Sequence, residues 1–174
     1  PRVQTPPARR AAAPSRKAAD VVGHVPTFAS GATSDRQAEL TVHWVVAAAP
    51  AGTLFAPNSL PDVNRFEVVK RVTVNDAPVR ERDPQIGPDE LVVVALDAEG
   101  REIAWQHVKD PRLVRSEQPG PGGVLTGQVL YRSETELVLR VPEGVAATTL
   151  TIYEAQWTGT EFLLRSLGTI AAAR

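Results

Sequence analysis

Two apolar runs, rich in β-branched residues, flank a short turn near the middle of the chain. Residues 91–97 read Leu-Val-Val-Val-Ala-Leu-Asp, and residues 101–108 read Arg-Glu-Ile-Ala-Trp-Gln-His-Val. The intervening Ala-Glu-Gly completes an Asp-x-x-Gly turn, so the pattern predicts a β-hairpin. Both faces of the first run are apolar, which predicts a strand that is covered on both sides. One cover is the core, and the other is the loop at 47–64, the N-terminal arm at residues 1–19 or another protein.

Alternation of apolar and polar residues predicts further strands on either side of this hairpin. In residues 39–46, Leu40, Val42 and Trp44 share one face, whereas His43 lies on the other. The other predicted strands are residues 20–28, 65–74, 124–131, 136–141, 148–154 and 161–170.

Interruptions of the pattern predict local irregularities. Lys70 breaks the apolar face of its strand and predicts a bulge or a strand end, and Gly168 predicts a kink. Residues 77–82 are expected to form a short strand or extended coil. The stretch 109–123 is rich in Pro and Gly towards its end and is expected to lack regular structure. No segment has a convincing helical period.

About eight or nine short strands with closely spaced turns predict an all-β protein, a single antiparallel β-sandwich. The roughly fifty residues after the Pro/Gly run are too few for a second sandwich, so residues 20–174 are expected to form one domain. The architecture resembles the immunoglobulin-like fold, and Tyr153, after a Pro-Glu-Gly turn, resembles its tyrosine corner. The Cys-Trp-Cys framework of that fold is absent, so the resemblance implies no functional residues.

Residues 1–19 form a Pro/Ala/Arg-rich stretch with no periodicity, which predicts an extended arm or linker. It carries five basic and no acidic residues, whereas the remainder carries 14 basic and 20 acidic residues. A basic tail on an acidic body is typical of an interaction segment that docks on a partner or on its own body. The candidate partner-binding residues of the arm are Arg2, Arg9, Arg10, Arg16 and Lys17.

The chain contains no Cys and no Met. Absence of Cys excludes disulfides, thiolate metal sites and a Cys nucleophile. Absence of an initiator Met is consistent with a removed secretory signal, and we therefore expect a bacterial-type periplasmic or secreted protein. No apolar run approaches the roughly 18–20 residues that a transmembrane helix needs.

The residues that could carry chemistry are sparse. The three His residues, His24, His43 and His107, lack metal-ligand spacing, although His43 and His107 could approach one another if their strands pair. No Gly-x-Ser-x-Gly elbow or glycine-rich phosphate loop is present. We therefore expect no catalytic residue, no cofactor and no metal.

A Ca²⁺ site is the remaining metal alternative. The turn that begins at Asp97 resembles part of an acidic Ca²⁺ loop, and Asp76, Asp83 or Asp89 could supply further oxygens. The turn itself already accounts for Asp97 and Gly100, so the simpler interpretation needs no metal.

Trp157 lies in a predicted turn between two strands and is the sixth candidate partner-binding residue. Trp is enriched at binding hot spots, but this side chain could instead fold back over the end of the sandwich. Trp44 and Trp105 are expected in the core.

The sequence favours a non-catalytic accessory or structural subunit of a larger assembly, docking through the arm and a sheet edge or loop end. Expected partners are a protein or an anionic membrane surface. Nucleic acid ranks lower because the body is acidic and the arm has no aromatic residue. The alternatives are a substrate- or carbohydrate-binding module of a secreted hydrolase and, after it, a small enzyme on the same fold.

Overall fold

The computed structural model of the chain describes residues 15–46, 49–80, 84–119 and 121–172. Two four-residue helices, α1 (Ala19–Val22) and α2 (Phe28–Gly31), lie near the N-terminus, and 3-10 turns lie at Pro57–Ser59 and Pro121–Gly123. The strands are β1 (Ser15–Lys17), β2 (Arg36–Val46), β3 (Leu54–Phe55), β4 (Asn64–Asn75), β5 (Glu90–Leu96), β6 (Glu102–Lys109), β7 (Leu113–Pro119), β8 (Leu125–Arg132), β9 (Glu134–Pro142), β10 (Thr149–Trp157) and β11 (Phe162–Ala171).

These strands form three antiparallel sheets, none of which closes within the described ranges. One has the order β1-β11-β10-β5-β6, the second β4-β2-β9 and the third β3-β8-β7. The all-β class is therefore confirmed, whereas the single immunoglobulin-like sandwich is not. The described residues contain eleven strands instead of the expected eight or nine, because the sequence pattern did not predict β1, β3 and β7. No helix in this part of the chain is long and apolar enough to cross a membrane.

The main core lies between the five-stranded sheet and the sheet β4-β2-β9. Leu40 and Trp44 of β2 are buried in one cluster with Leu91 and Val93 of β5 and Ile152 of β10. The alternation in β2 is confirmed, since its inward residues are buried. Each fully buried aliphatic side chain contributes about 1.5–3 kcal/mol, so this cluster holds the two sheets together.

The predicted hairpin is confirmed as β5 and β6, but it is not central, because β6 is an edge strand of its sheet within the described residues. Val94 pairs with Trp105 across the strands. The Asp97 carboxylate accepts hydrogen bonds from the backbone N–H groups of Glu99 and Arg101, at 3.0 and 2.8 Å. Asp97 therefore closes the turn with its own side chain, which is the role that the sequence pattern predicts.

The second face of β5 is covered by the N-terminal segment. Val92 and Val94 pack in a separate buried cluster with Val21 of α1 and with Trp105. The indole N–H of Trp105 donates to the carbonyl of Val25 at 2.9 Å. The second cover of β5 is thus residues 18–25 of the same chain, the first two of which belong to the predicted arm.

The strand predicted for residues 20–28 is wrong. Its first part is α1, in which the N–H of Val22 donates to the carbonyl of Ala18. A single helical turn buries Val21 on the sheet while Asp20 stays exposed, so tertiary packing outweighs the β-propensity of two valines. The expectation of no helix is corrected by α1 and α2.

A bulge and a kink appear where the pattern predicted them. Thr41 pairs with Lys70 and Val42 with Val68, so β4 has one extra residue, Val69. In β11 the extra residue is followed by Gly168, whose φ is 151°. A Cβ on Gly168 would lie 2.9 Å from a ring carbon of Phe66, so glycine is required by close packing as well.

The stretch expected to be irregular, residues 109–123, contains β7, so that expectation is wrong in part. Its sequence alternates weakly, and the strand forms because β8 supplies a pairing partner across the Pro/Gly turn. Residues 77–80 have no regular structure, and residues 81–83 lie outside the described ranges. The long loop contains β3 and a 3-10 turn.

Candidate functional site

The strands β7 and β8, with the 3-10 turn between them, form a two-stranded extension that we call the ribbon (residues 113–119 and 121–132). Pairing runs from Leu113 with Tyr131 to Pro119 with Leu125. Residues 125–129 of β8 are all exposed. Successive side chains of a strand point to opposite faces, so both faces of β8 lie in solvent over the distal half of the ribbon.

The distal half of the ribbon nevertheless carries apolar side chains. Val124, Leu125 and Val129 are 65%, 62% and 37% exposed. Leu125 and Val129 share one face, where Arg115 is the cross-strand partner of Val129. Isolated two-stranded ribbons are marginally stable in water, so this one depends on its attachment to the body.

Arg112, immediately before β7, is buried at the base of the ribbon and is only 2% exposed. Its Nη2 donates to Oδ2 of Asp110 at 2.7 Å and to Oε1 of Glu154 at 3.3 Å. Its Nε and its backbone N–H also donate to the Asp110 carboxylate. A planar guanidinium between two carboxylates is a charge-assisted arrangement that Lys could not reproduce.

The same guanidinium lies against two aromatic rings. Its Cζ is 4.0 Å from the ring centroid of Trp44 and 5.4 Å from that of Tyr131. Trp44 belongs to β2, Tyr131 to β8 and Glu154 to β10. All three sheets therefore meet at Arg112. We call the arginine cluster the group formed by Arg112 with Asp110, Glu154, Trp44 and Tyr131.

A second arginine extends the cluster to the surface. Arg165 Nη2 donates to Oε2 of Glu154 at 2.8 Å, and Nη1 pairs with Asp62. Burial alone would lower the pKa of Arg165, but its hydrogen bonds and ion pairs with Glu154 and Asp62 outweigh that effect and raise the pKa. Glu154 therefore faces two guanidinium groups and stabilises both.

Tyr131 completes the electrostatics of the site. Burial raises the pKa of its phenol, and the nearby negative charges of Asp110 and Glu154 raise it further. The phenol is therefore neutral at physiological pH. The arginine cluster is a clamp of paired charges and aromatic rings, and it orients the ribbon on the body.

No sequence pattern predicts this cluster. Arg112 and Asp110 lie in a short Asp-Pro-Arg connection that resembles an ordinary loop. Their partners Trp44, Tyr131 and Glu154 lie far away along the chain and are brought together only by the sheets.

The arm residues within the described part already have partners in the chain. β1 pairs with β11, with Arg16 opposite Leu164. Arg16 forms an ion pair with Glu102, and Lys17 Nζ lies 3.1 Å from Oε2 of Glu161. The end of the arm is thus docked on the body, which was one of the two expected outcomes. The predicted partner-binding residues Arg2, Arg9 and Arg10 lie outside the described residues.

Trp157 ends β10 and is 55% exposed. Its ring packs on that of Phe162, its cross-strand partner, with 4.8 Å between the centroids. Trp44 and Trp105 are buried in the core, as predicted. Trp157 therefore leaves more than half of its surface accessible to a ligand.

The strands of His43 and His107 do not pair, so the condition for the two imidazoles to approach one another is not met. His43 is in the sheet β4-β2-β9, where its Nε2 is 2.7 Å from Oε1 of Glu134. His107 is in β6, in the other large sheet, opposite Val92. Within the described ranges, no group of three or more His, Asp or Glu residues could hold a metal ion.

Among the described residues, the acids considered for a Ca²⁺ site form no group that could hold a metal ion. Asp76 pairs with Arg140, and Asp89 pairs with Arg115. Asp97 accepts from its own turn, and Asp83 lies outside the described residues.

Comparison with known proteins adds no relationship to this geometry. The chain matches no protein-family model, and neither the curated proteins nor the solved structures gave a significant match.

Proposed function

We propose that this protein acts without catalysis, by binding another protein through the ribbon. The observation that carries the proposal is the exposure of Val124, Leu125 and Val129 on a projecting pair of strands. Exposed apolar residues that cluster on one element are typical of protein-binding surfaces. Arg115, beside Val129, adds a charged rim of the kind that surrounds apolar interface centres.

The arginine cluster supports this function because it fixes the ribbon before the partner arrives. Binding costs free energy for every segment that must become ordered, and a preorganised element avoids part of that cost. The buried Arg112 joins the ribbon to both large sheets. The ribbon therefore presents its apolar residues in a fixed orientation.

The biological role proposed is that of an accessory or structural subunit outside the cytoplasm. The docking element in this proposal is the ribbon and not the arm predicted from the sequence, because Arg16 and Lys17 form ion pairs within the chain. Arg2, Arg9 and Arg10 remain candidates for an additional contact with an acidic partner or an anionic membrane surface.

A quantitative pull-down from the native source tests this proposal. The baits are the wild type, the double variant Leu125→Asp/Val129→Asp and the control Val79→Asp, which changes a valine that is 81% exposed outside the ribbon. We expect mass spectrometry to find specific proteins that are lost with the ribbon variant and retained with the control. Equal recovery with both variants would contradict docking through the ribbon. A fourth bait lacking residues 1–14 measures the contribution of the arm.

A carbohydrate-binding module is the second candidate, and Trp157 favours it. An exposed indole can stack on a sugar ring, and the neighbouring Gln156 and Thr158 are polar and exposed. Because Trp44 and Trp105 are buried, a fluorescence change on titration with soluble glycans would report mainly on Trp157. A saturable change that disappears in Trp157→Ala would support this candidate, and no change with any glycan would remove it.

A further inference from the structure

A second binding surface lies along β4. Within the described ranges this twelve-residue strand pairs only with β2, so its other edge is free. Free edges can accept an extended segment of another protein as an additional strand. This surface is separate from the ribbon, which belongs to the third sheet.

A groove runs between β4 and β11, beside that free edge. At one end Phe66 packs against Gly168, and at the other Nη1 of Arg71 donates to the carbonyl of Ala172 at 2.5 Å. The bulge residue Val69 lies between these contacts along β4. The space of about 450 Å³ is lined by the apolar residues Leu40, Phe66, Val68, Val69, Ile170 and Ala171, and by the polar residues Glu67, Lys70, Arg71 and Thr169.

Two cations on the outward face of β4 have no acidic partner among the described residues. Arg65 and Lys70 are exposed and form no ion pair within the described ranges, and Glu67 is the acidic residue between them. On β9, the opposite edge strand of the same sheet, Arg140 pairs with both Glu39 and Asp76. The outward face of β4 therefore carries two cations without an ion pair in the described ranges, next to a largely apolar groove, whereas Arg71 hydrogen-bonds the carbonyl of Ala172.

The register of β4 places the two sets of side chains on different faces of the strand, although the rim of the groove also reaches Glu67 and Lys70. Val42 and Trp44 point into the core, so their partners Val68 and Phe66 face the groove. Arg65 and Lys70 pair with Val45 and Thr41, which point outwards. Successive side chains of a strand point to opposite faces. A strand added at the edge of β4 would therefore place every second side chain of its own over the groove and the side chains between them beside Arg65 and Lys70.

We propose that β4 binds an extended segment of a partner protein in which acidic and apolar residues alternate. The acidic residues of the partner segment lie beside Arg65 and Lys70, and its apolar residues pack on the groove near Val68. Opposite charges in cross-strand positions stabilise pairing, and like charges oppose it. A second copy of β4 is disfavoured for that reason, since pairing would bring Arg65 and Lys70 of two chains together.

The test uses a fluorescein-labelled peptide, acetyl-Thr-Glu-Val-Thr-Val-Glu-Thr-amide, whose acid-apolar pattern reads alike in both directions. A matched peptide has Lys in place of Glu. Fluorescence anisotropy measures the affinity of each peptide for the wild type, for Arg65→Glu/Lys70→Glu and for the control Arg80→Glu. Arg80 is an exposed cation outside β4.

We expect saturable binding of the Glu peptide to the wild type and the control, and roughly tenfold weaker binding to the double variant. The Lys peptide should show the reverse preference, which a loss of folding could not produce. Amide chemical shifts should change along residues 64–71 and 168–171. Equal affinity of the two peptides, no binding at millimolar concentration or shifts confined to another surface would overturn the proposal.

Discussion

Replacing Arg112 with Met tests whether the arginine cluster holds the ribbon to the body. Met fills a similar volume and keeps an apolar contact with Trp44, but it removes the charge between Asp110 and Glu154. The Asp110 carboxylate is then buried with no cation at its side, since its ion-pair partner within the described residues is Arg112. Glu154 keeps Arg165, so Asp110 is the residue that suffers most.

The expected loss follows from the burial of the pair. The side chains of Arg112 and Asp110 are 3% and 5% exposed. Removing one partner of a buried ion pair costs about 3–5 kcal/mol, and loss of a desolvated cation–π contact adds up to about 2 kcal/mol. A typical domain has only about 5–15 kcal/mol of stability, so the variant is expected to be close to unfolding.

Urea denaturation of Arg112→Met, Asp110→Asn and the double variant measures this directly. We expect the double variant to lose less than the sum of the two single losses, by at least about 1 kcal/mol. Arg112→Lys, which keeps the charge, provides a folded intermediate case. A loss below about 1 kcal/mol in Arg112→Met, or strictly additive losses, would refute the role assigned to the cluster.

Two further predictions concern the core and the pH dependence. Gly168→Ala should destabilise the fold by about 1–3 kcal/mol, because the new methyl would meet a ring carbon at 2.9 Å. The control Gly127→Ala, with no atom within 4 Å of the added Cβ, should change the urea midpoint little. Burial alone would raise the pKa of Glu90, but the N–H of Gly87 and the ammonium of Lys109 lower it below 4.5. Its contribution to stability is therefore present above pH 4.5 and is lost as the pH falls through the folded-state pKa. Glu90→Gln should flatten the fall in stability in that acidic range, and an unchanged slope would contradict the assignment.

Local sequence signals identified the strands that pair through short turns. The Asp97 turn and the apolar runs beside it predict β5 and β6, because hairpin register depends on residues that are close in sequence. The break at Lys70 predicts the bulge of β4 for the same reason. In each case the determinant lies within a few residues of the feature.

Features that depend on distant partners were not visible in the sequence. Val21 and Val22 have β-branched side chains, but the sheet beneath them is better covered by one helical turn. β7 has weak alternation and requires β8. The arginine cluster combines residues from β2, β8 and β10. The sequence around Arg112 contains no pattern that predicts these contacts. Neither the ribbon nor the free edge of β4 could be placed before the sheets were known.

Site-specific crosslinking tests docking through the ribbon most directly. A photoreactive benzophenone amino acid is introduced in place of Leu125, or in place of Val79 as the exposed control, and each protein is irradiated in extract from the native source. We predict a discrete crosslinked partner from position 125 that is absent from position 79 and is competed by unlabelled wild type. No adduct at position 125, or the same adducts from both positions, would contradict the proposal that the ribbon is the docking element.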